Sequence, residues 1–174
     1  MTGRATLLRK LKRRYENLPL PAGQAGGIVA VMVLERIRPA PIRGPAILRC
    51  TAGVIALAAG CALNAWALAE RRRRTSGEFD LEHPQSLVTT GPYAMSRHPM
   101  YVGWWLIHLG SGLLRGSAWV AVTMPAAVLV EHAGVLAEER ALDREFGAEF
   151  ARYREEVPRY LAWRRHPNAA GRQR

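Results

Sequence analysis

Cysteine is almost missing from this chain, with Cys50 and Cys61 as its two thiols. They fall in one apolar stretch, where a helix rising about 1.5 Å per residue would hold them some 16 Å apart, so they cannot pair with each other. Two thiols are also too few for a cysteine-built metal centre. No CxxC, HExxH or comparable ligand spacing occurs, and no metal site is predicted. Lysine is as scarce: Lys10 and Lys12 are the only lysines among 25 basic residues, the bias of a GC-rich bacterial genome and silent about fold. Acids number 14, leaving a net charge of +11. Such a balance can suit nucleic acid, but the helix-turn-helix and zinc-finger patterns are absent and aromatics are not interleaved with the arginines, so nucleic acid is not a predicted partner. A GxGxxG fingerprint following a strand is missing too, which argues against a soluble dinucleotide-binding domain.

What the chain does have is segregation. Leu20 to Leu34, Cys50 to Ala69 and Tyr101 to Leu114 carry no formal charge, while arginine crowds the stretches between them. A mean hydropathy of −0.09 conceals this alternation, which is that of an integral membrane protein. The predicted class is all-α, with about four transmembrane helices and a C-terminal amphipathic cytoplasmic helix.

The first span, Leu20 to Leu34, is short against the roughly 20 residues a bilayer core requires, so a tilted or re-entrant helix is expected there. Pro45 to Ala69 is the strongest span, with Arg49 near its start as its single charge, able to snorkel. Gly53 and Gly60, seven apart, share a face on which another helix can approach closely. Arg71 to Arg74 close that span, and Thr75 to Thr90 read as a polar loop. Tyr101 to Leu114 and Ser117 to Ala137 form a hairpin about Arg115 and Gly116. Beyond Glu138, the recurrence of Leu142, Phe146, Phe150, Tyr153 and Val157 gives an amphipathic surface helix ending near Pro158.

The basic N-terminal tail, residues 1 to 17, is followed by prolines and glycines without a convincing cleavage site, so it is expected to stay and to lie against acidic headgroups. With four spans, Arg36, Arg38, Arg43, Arg49 and Arg115 fall on one side and the other 20 basic residues on the opposite side. Both termini are therefore predicted to be cytoplasmic, in the plasma membrane if the source is bacterial. A single domain covers residues 1–174: N-terminal helices and loop over 18–86, a core over 87–160 and a basic tail over 161–174.

The hairpin decides which polar residues meet. His98 precedes the turn at Gly116 by 18 residues and Glu138 follows it by 22, so they stand about 27 and 33 Å from the turn, at one mouth. Arg97 and His98 thus face Glu138 and Glu139 beside an apolar groove. Pro99 suits an early helix position because it has no N–H to satisfy. Glu131, His132 and His108 lie deeper in the apolar zone, where ionisable groups are functional candidates. S-adenosylmethionine suits both signs of charge, through its carboxylate on the one hand and its amino and ribose groups on the other, although the spacing alone does not name it.

Gly-Pro-Tyr at 91 to 93, Arg-His-Pro-x-Tyr-x-Gly at 97 to 103, and the run Glu138, Glu139, Leu142, Phe146, Gly147, Tyr153, Val157, Arg159 resemble the isoprenylcysteine carboxyl methyltransferase and phospholipid methyltransferase group of integral membrane enzymes. The resemblance covers Leu87 to Tyr160. It implies an S-adenosyl-L-methionine pocket at the cytoplasmic membrane surface, with His98, Tyr101, Glu138 and Glu139 as contacts and Tyr93, Arg97, Pro99 and Gly103 of the same motif around them. It also implies a lipophilic acceptor, reached among membrane lipids. Ala94 stands where the group commonly has a basic residue, and Phe150 where it commonly has a tyrosine.

Methyl transfer is an in-line displacement governed by alignment and desolvation of the nucleophile. A carboxylate acceptor needs no base. For a phenol or amine, Glu131, His132 or a Glu138/Glu139 carboxylate could take the proton, and Arg159 or Arg152 could orient an anionic acceptor. Two rival readings stay open: a membrane NADPH-dependent reductase, because sterol reductases look similar in their membrane core, and a non-enzymatic membrane subunit.

Overall fold

A computed structural model describes residues 21–75 and 86–161, and within them every regular element is helical apart from one isolated bridge. The helices are α1 (Ala22–Ile37), α2 (Ala46–Arg74), α3 (Pro99–Arg115), α4 (Val120–Phe146) and α5 (Ala148–Glu156), with a 3₁₀ turn at Gly91–Ala94 ahead of α3. The basic tails expected at 1–17 and 163–174, and most of the loop expected over 75–90, lie outside the described residues.

Local chemistry sets the boundaries. Pro21 and Pro45 are extended residues immediately before α1 and α2, and Pro99 occupies the first turn of α3. Four arginines fill the last turn of α2, where cations meet the negative end of the helix dipole. Gly116, at φ 70° and ψ 24°, ends α3 in a left-handed cap whose N–H reaches Gly112 and Leu113 oxygens.

The last two expected elements are partitioned differently. The chain does not change helix at Glu138: α4 runs unbroken for 27 residues to Phe146, then Gly147 at φ 48° breaks it and α5 adds nine residues. Change of sequence polarity is not a helix stop. Nothing between Ala137 and Phe146 interrupts the backbone bonds, so the helix continues until a glycine allows the turn.

α2 and α4 are long and apolar enough to cross a bilayer. Their apolar side chains also point outward, with Ile47, Leu48, Val54, Ile55, Val122, Leu129 and Val130 all more than half exposed, the reverse of a core helix in a water-soluble protein. α1 and α3 have 16 and 17 residues. At about 24 and 26 Å they fall short of a roughly 30 Å core, so the four expected spans resolve into two helices of crossing length and two shorter ones beside them.

α3 is packed chiefly on α2, and α1 chiefly on α4. The α2–α3 contact is built on glycine. A methyl at Gly53 would lie 2.9 Å from Leu114 Cγ, one at Gly60 would lie 2.5 Å from the Gly103 carbonyl, and one at Gly110 would lie 2.7 Å from the Gly53 carbonyl. The expected face of Gly53 and Gly60 is thus where the backbones meet.

The α1–α4 contact is polar. Gln24 gives its backbone N–H to Glu131 Oε1 at 2.8 Å and its amide Nε2 to Glu131 Oε2 at 2.9 Å. Its amide oxygen faces His108 Nδ1 at 2.8 Å, and His108 Nε2 meets Thr123 Oγ1 at 3.1 Å. Because an amide oxygen only accepts, His108 Nδ1 carries the proton. All four side chains are buried, and Gly23 and Gly27 make room for Glu131 and His108 against α1. Replacing Gln24 by Leu removes the side-chain partners of Glu131 Oε2 and His108 Nδ1, each at a cost of about 1–3 kcal/mol. Thermal unfolding in detergent should show Gln24→Leu well below wild type and Gln24→Glu or Gln24→His between them; a Leu variant as stable as wild type would refute the network's role in docking α1.

Candidate functional site

The mouth of the α3–α4 hairpin is assembled from three separated segments. The first is the turn-rich Gly91 to His98, in which Gly91, at φ 61°, packs on Glu70 of α2. The second is the C-terminal half of α4. The third is an extended strap after α5, where Pro158 and Arg159 carbonyls accept the backbone N–H groups of Arg97 at 2.9 Å and His98 at 3.1 Å. Ser96 Oγ also donates to the Arg159 carbonyl at 3.1 Å. An apolar knot of Phe150, Tyr153 and Val157, with Leu87, Leu142 and Phe146 around it, holds α5 below the strap. Tyr153 adds a hydrogen bond from its hydroxyl to the Tyr93 carbonyl at 2.7 Å.

Glu139 is the hub. Its Oε1 receives His98 Nε2 at 3.2 Å, Arg159 Nε at 3.0 Å and Arg97 Nη2 at 3.2 Å, while its Oε2 receives Arg159 Nη2 at 2.8 Å. The Arg159 pair is the two-pronged carboxylate geometry that gives the strongest ion pairs. Glu138 is placed differently. Its side chain is 43% exposed and stands 3.7 Å from His98 Nδ1, against 8% exposure for Glu139. The acidic pair therefore divides into a carboxylate engaged by protein and one that is open.

Arg97 is 8% exposed at its side chain, and its Nε and Nη1 are buried without a hydrogen-bond partner among the described residues. Burial pulls its pKa down, with Glu139 opposing. The hydrogen bonds to Glu139 push the Arg159 pKa up. Burial raises the Tyr93 phenol to about 12, the charge of Arg71 acting against it, so Tyr93 is neutral at physiological pH. Burial also raises Tyr153 and Tyr160.

The other expected residues fall around this hub. Tyr101 packs edge-on to His98 with ring centres 5.7 Å apart, and Pro99 is fully buried at the start of α3. Gly103 faces α2, where a side chain would collide with Asn64, so its lack of a side chain serves the helix contact. Of the candidates for the acceptor side, Arg159 is tied to Glu139 and Glu131 is held by Gln24. His132 pairs with Tyr160: its Nδ1 lies 3.0 Å from the Tyr160 hydroxyl, and Trp105 packs on the same tyrosine with centroids 4.7 Å apart and planes tilted by 57°. Among the described residues, no group of three or more His, Cys, Asp or Glu is arranged to hold a metal ion.

Sequence reasoning did not find the strap, Ser96, Tyr160, or the link of Gln24, His108 and Thr123 to Glu131. Val157 before Pro158 was the available signal for the strap, because a residue before proline is pushed to extended backbone. The Gln24 link joins residues 107 positions apart and has no local signature.

A family model described as phospholipid methyltransferase matches residues 48–149, well over half of the chain. Among curated relatives, the chain is 41% identical over 77 residues to the cobalt-zinc-cadmium resistance protein CzcN of Cupriavidus metallidurans, covering 44% of this chain and 35% of that protein. It is 36% identical over 76 residues to the nickel-cobalt-cadmium resistance protein NccN of Alcaligenes xylosoxydans xylosoxydans, covering 43% and 35%. It is 38% identical over 74 residues to the protein-S-isoprenylcysteine O-methyltransferase of Schizosaccharomyces pombe, covering 41% and 31%. The matched regions thus span about a third of the length of each relative. No solved structure matches.

Proposed function

The chain belongs to the phospholipid methyltransferase family, and from that membership we propose that it is a membrane methyltransferase that takes its methyl group from S-adenosyl-L-methionine and passes it to a lipophilic acceptor at the hairpin mouth. The observation that carries this reading is the division of labour at the mouth. Arg97 keeps two buried guanidinium nitrogens without partners among the described residues, the donors a carboxylate needs, and Glu138 keeps an open carboxylate, the acceptor that amino and ribose hydroxyl groups need. A methionine-derived nucleoside carries both kinds of group, so the residues present fit it.

When bound, that cofactor supplies an electrophilic methyl group on a sulfonium. The protein's own contribution is binding and alignment. Glu139 holds Arg97, His98 and Arg159 in one place, so that Arg97 and His98 are set before a ligand arrives. His98, with Nε2–H given to Glu139, keeps Nδ1 facing Glu138. Tyr101 supplies an apolar edge beside His98. An acceptor that must lose a proton has His132 to take it, since Glu131 is held by Gln24, Glu139 by the two arginines, and Glu138 by the cofactor in this reading. A carboxylate acceptor would need no such step.

Calorimetric titration of the detergent-solubilised protein with S-adenosylhomocysteine tests the proposal. Wild type should bind. Arg97→Lys, which loses the planar fork, and Glu138→Ala should each weaken binding about tenfold or more, in keeping with the loss of one charge-assisted hydrogen bond. Absence of binding to folded wild type would overturn the reading.

A further inference from the structure

At the end of the bundle opposite the hairpin mouth lies a niche of about 380 Å³ lined by Met32, Val33, Glu35, Arg36 and Arg115. We infer that this niche binds the headgroup of an anionic phospholipid, with Arg36 and Arg115 on the phosphate and the acyl chain along Met32 and Val33 of α1. The site is independent of the proposed methyl transfer.

Charge is the first argument. Arg36 and Arg115 come from different helices, α1 and α3, and neither has an ion-pair or hydrogen-bond partner among the described residues. Glu35 is the acid in the niche, and its carboxylate is already engaged: Oε2 accepts Ser117 Oγ at 2.6 Å and the Ala40 N–H at 3.3 Å. Glu35 keeps its charge but pairs with neither arginine among the described residues, so the niche carries two guanidiniums against one carboxylate and a net positive charge. Guanidinium forks match phosphate oxygens geometrically as well as in charge.

Rigidity is the second. The loop after α1 is laced to the α3–α4 turn: Ile42 N–H reaches the Gly116 carbonyl at 2.7 Å, Ala118 N–H reaches the Ala40 carbonyl at 2.7 Å, and Trp119 Nε1 donates to the Arg38 carbonyl at 2.9 Å. Arg49 Nη1 fixes the Leu113 carbonyl at 3.0 Å, at the end of α3. The backbone carrying both arginines is thus braced, so the ordering required when an anion arrives is confined to their side chains.

Polarity is the third. Met32 and Val33 are 40% and 47% exposed on the wall next to the arginines. An apolar wall one turn from two unpaired cations fits a molecule that is anionic at one end and hydrocarbon at the other. A free anion would make no use of that wall.

Native mass spectrometry of the full chain in neutral detergent tests this with palmitoyl-oleoyl phosphatidylglycerol and its phosphatidylcholine counterpart. Wild type should retain one phosphatidylglycerol more than the Arg36→Gln, Arg115→Gln double variant, whose apparent affinity for that lipid should fall about tenfold or more, given two interfacial cations. Phosphatidylcholine retention should be the same in both proteins. Lipid held by the basic tails is common to both and cancels. Val33→Trp keeps both arginines and fills the niche, so it should lose the same lipid and guards against misfolding of the double variant. Equal phosphatidylglycerol retention in wild type and variants would overturn the site, and displacement of the lipid by millimolar inorganic phosphate would overturn the lipid as its occupant.

Discussion

Glu139→Gln is expected to destabilise the protein by about 3 kcal/mol or more and to abolish S-adenosylhomocysteine binding, whereas Glu138→Gln should leave stability within about 1 kcal/mol and only weaken binding. The two residues are neighbours of the same type, so the contrast comes from placement alone. Removing the charge of Glu139 leaves Arg97, 8% exposed, and Arg159, 33% exposed, beside each other with no counter-charge. An amide in that place can still accept hydrogen bonds but cannot offset two guanidiniums. The strap then loses its two-pronged anchor, and with it the hold on residues 96–98. Glu138, 43% exposed and 3.7 Å from His98, makes no comparable contact among the described residues. Thermal and denaturant unfolding in detergent, followed by calorimetry on each variant, would measure both effects. Equal destabilisation by the two substitutions would show that Glu139 is not the hub.

The second large effect is expected at Gly60. A Cβ there would sit 2.5 Å from the Gly103 carbonyl, 2.8 Å from Ile107 Cγ1 and 3.0 Å from the Ile107 N–H. Two of those three neighbours are backbone of α3, which cannot rotate away, so α2 and α3 must separate. Gly60→Ala should cost about 1–3 kcal/mol, and Gly60→Leu should prevent the pair from closing. Separation also displaces the start of α3, so S-adenosylhomocysteine binding at the proposed site should fall with stability. The control is built into the chain. Gly26 and Gly134 are also helical, and a Cβ at either meets nothing within 4 Å. Gly26→Ala and Gly134→Ala should be neutral or mildly stabilising through helix propensity. Unfolding of the four variants in one detergent would decide the matter, and comparable stabilities for Gly60→Ala and Gly134→Ala would refute the close crossing.

Much of this architecture is legible in residue order because it rests on local or periodic signals. Uncharged runs bounded by arginine mark the helices, the spacing of Gly53 and Gly60 marks the face on which α3 lies, and Gly116 marks the turn. The meeting of His98 with Glu138 and Glu139 follows from helix rise and a known turn position, since a tight hairpin converts distance in sequence into depth. The family is also readable there, because the motifs at 91 to 103 and 138 to 159 are written in consecutive residues.

Tertiary structure decided what each of those residues touches. Composition cannot distinguish Glu138 from Glu139; one helical step of about 100° turns one into the cluster and the other toward water. Arg159, expected to face an acceptor, is drawn to Glu139 because the strap returns across the start of α3. Glu131, expected to serve as a base, meets a glutamine 107 residues away. Helix identity, turn position and family were fixed by neighbours along the chain, whereas the partner of each buried charge was fixed by which segment closed over it, and that depends on distant backbone packed by glycine contacts and return loops.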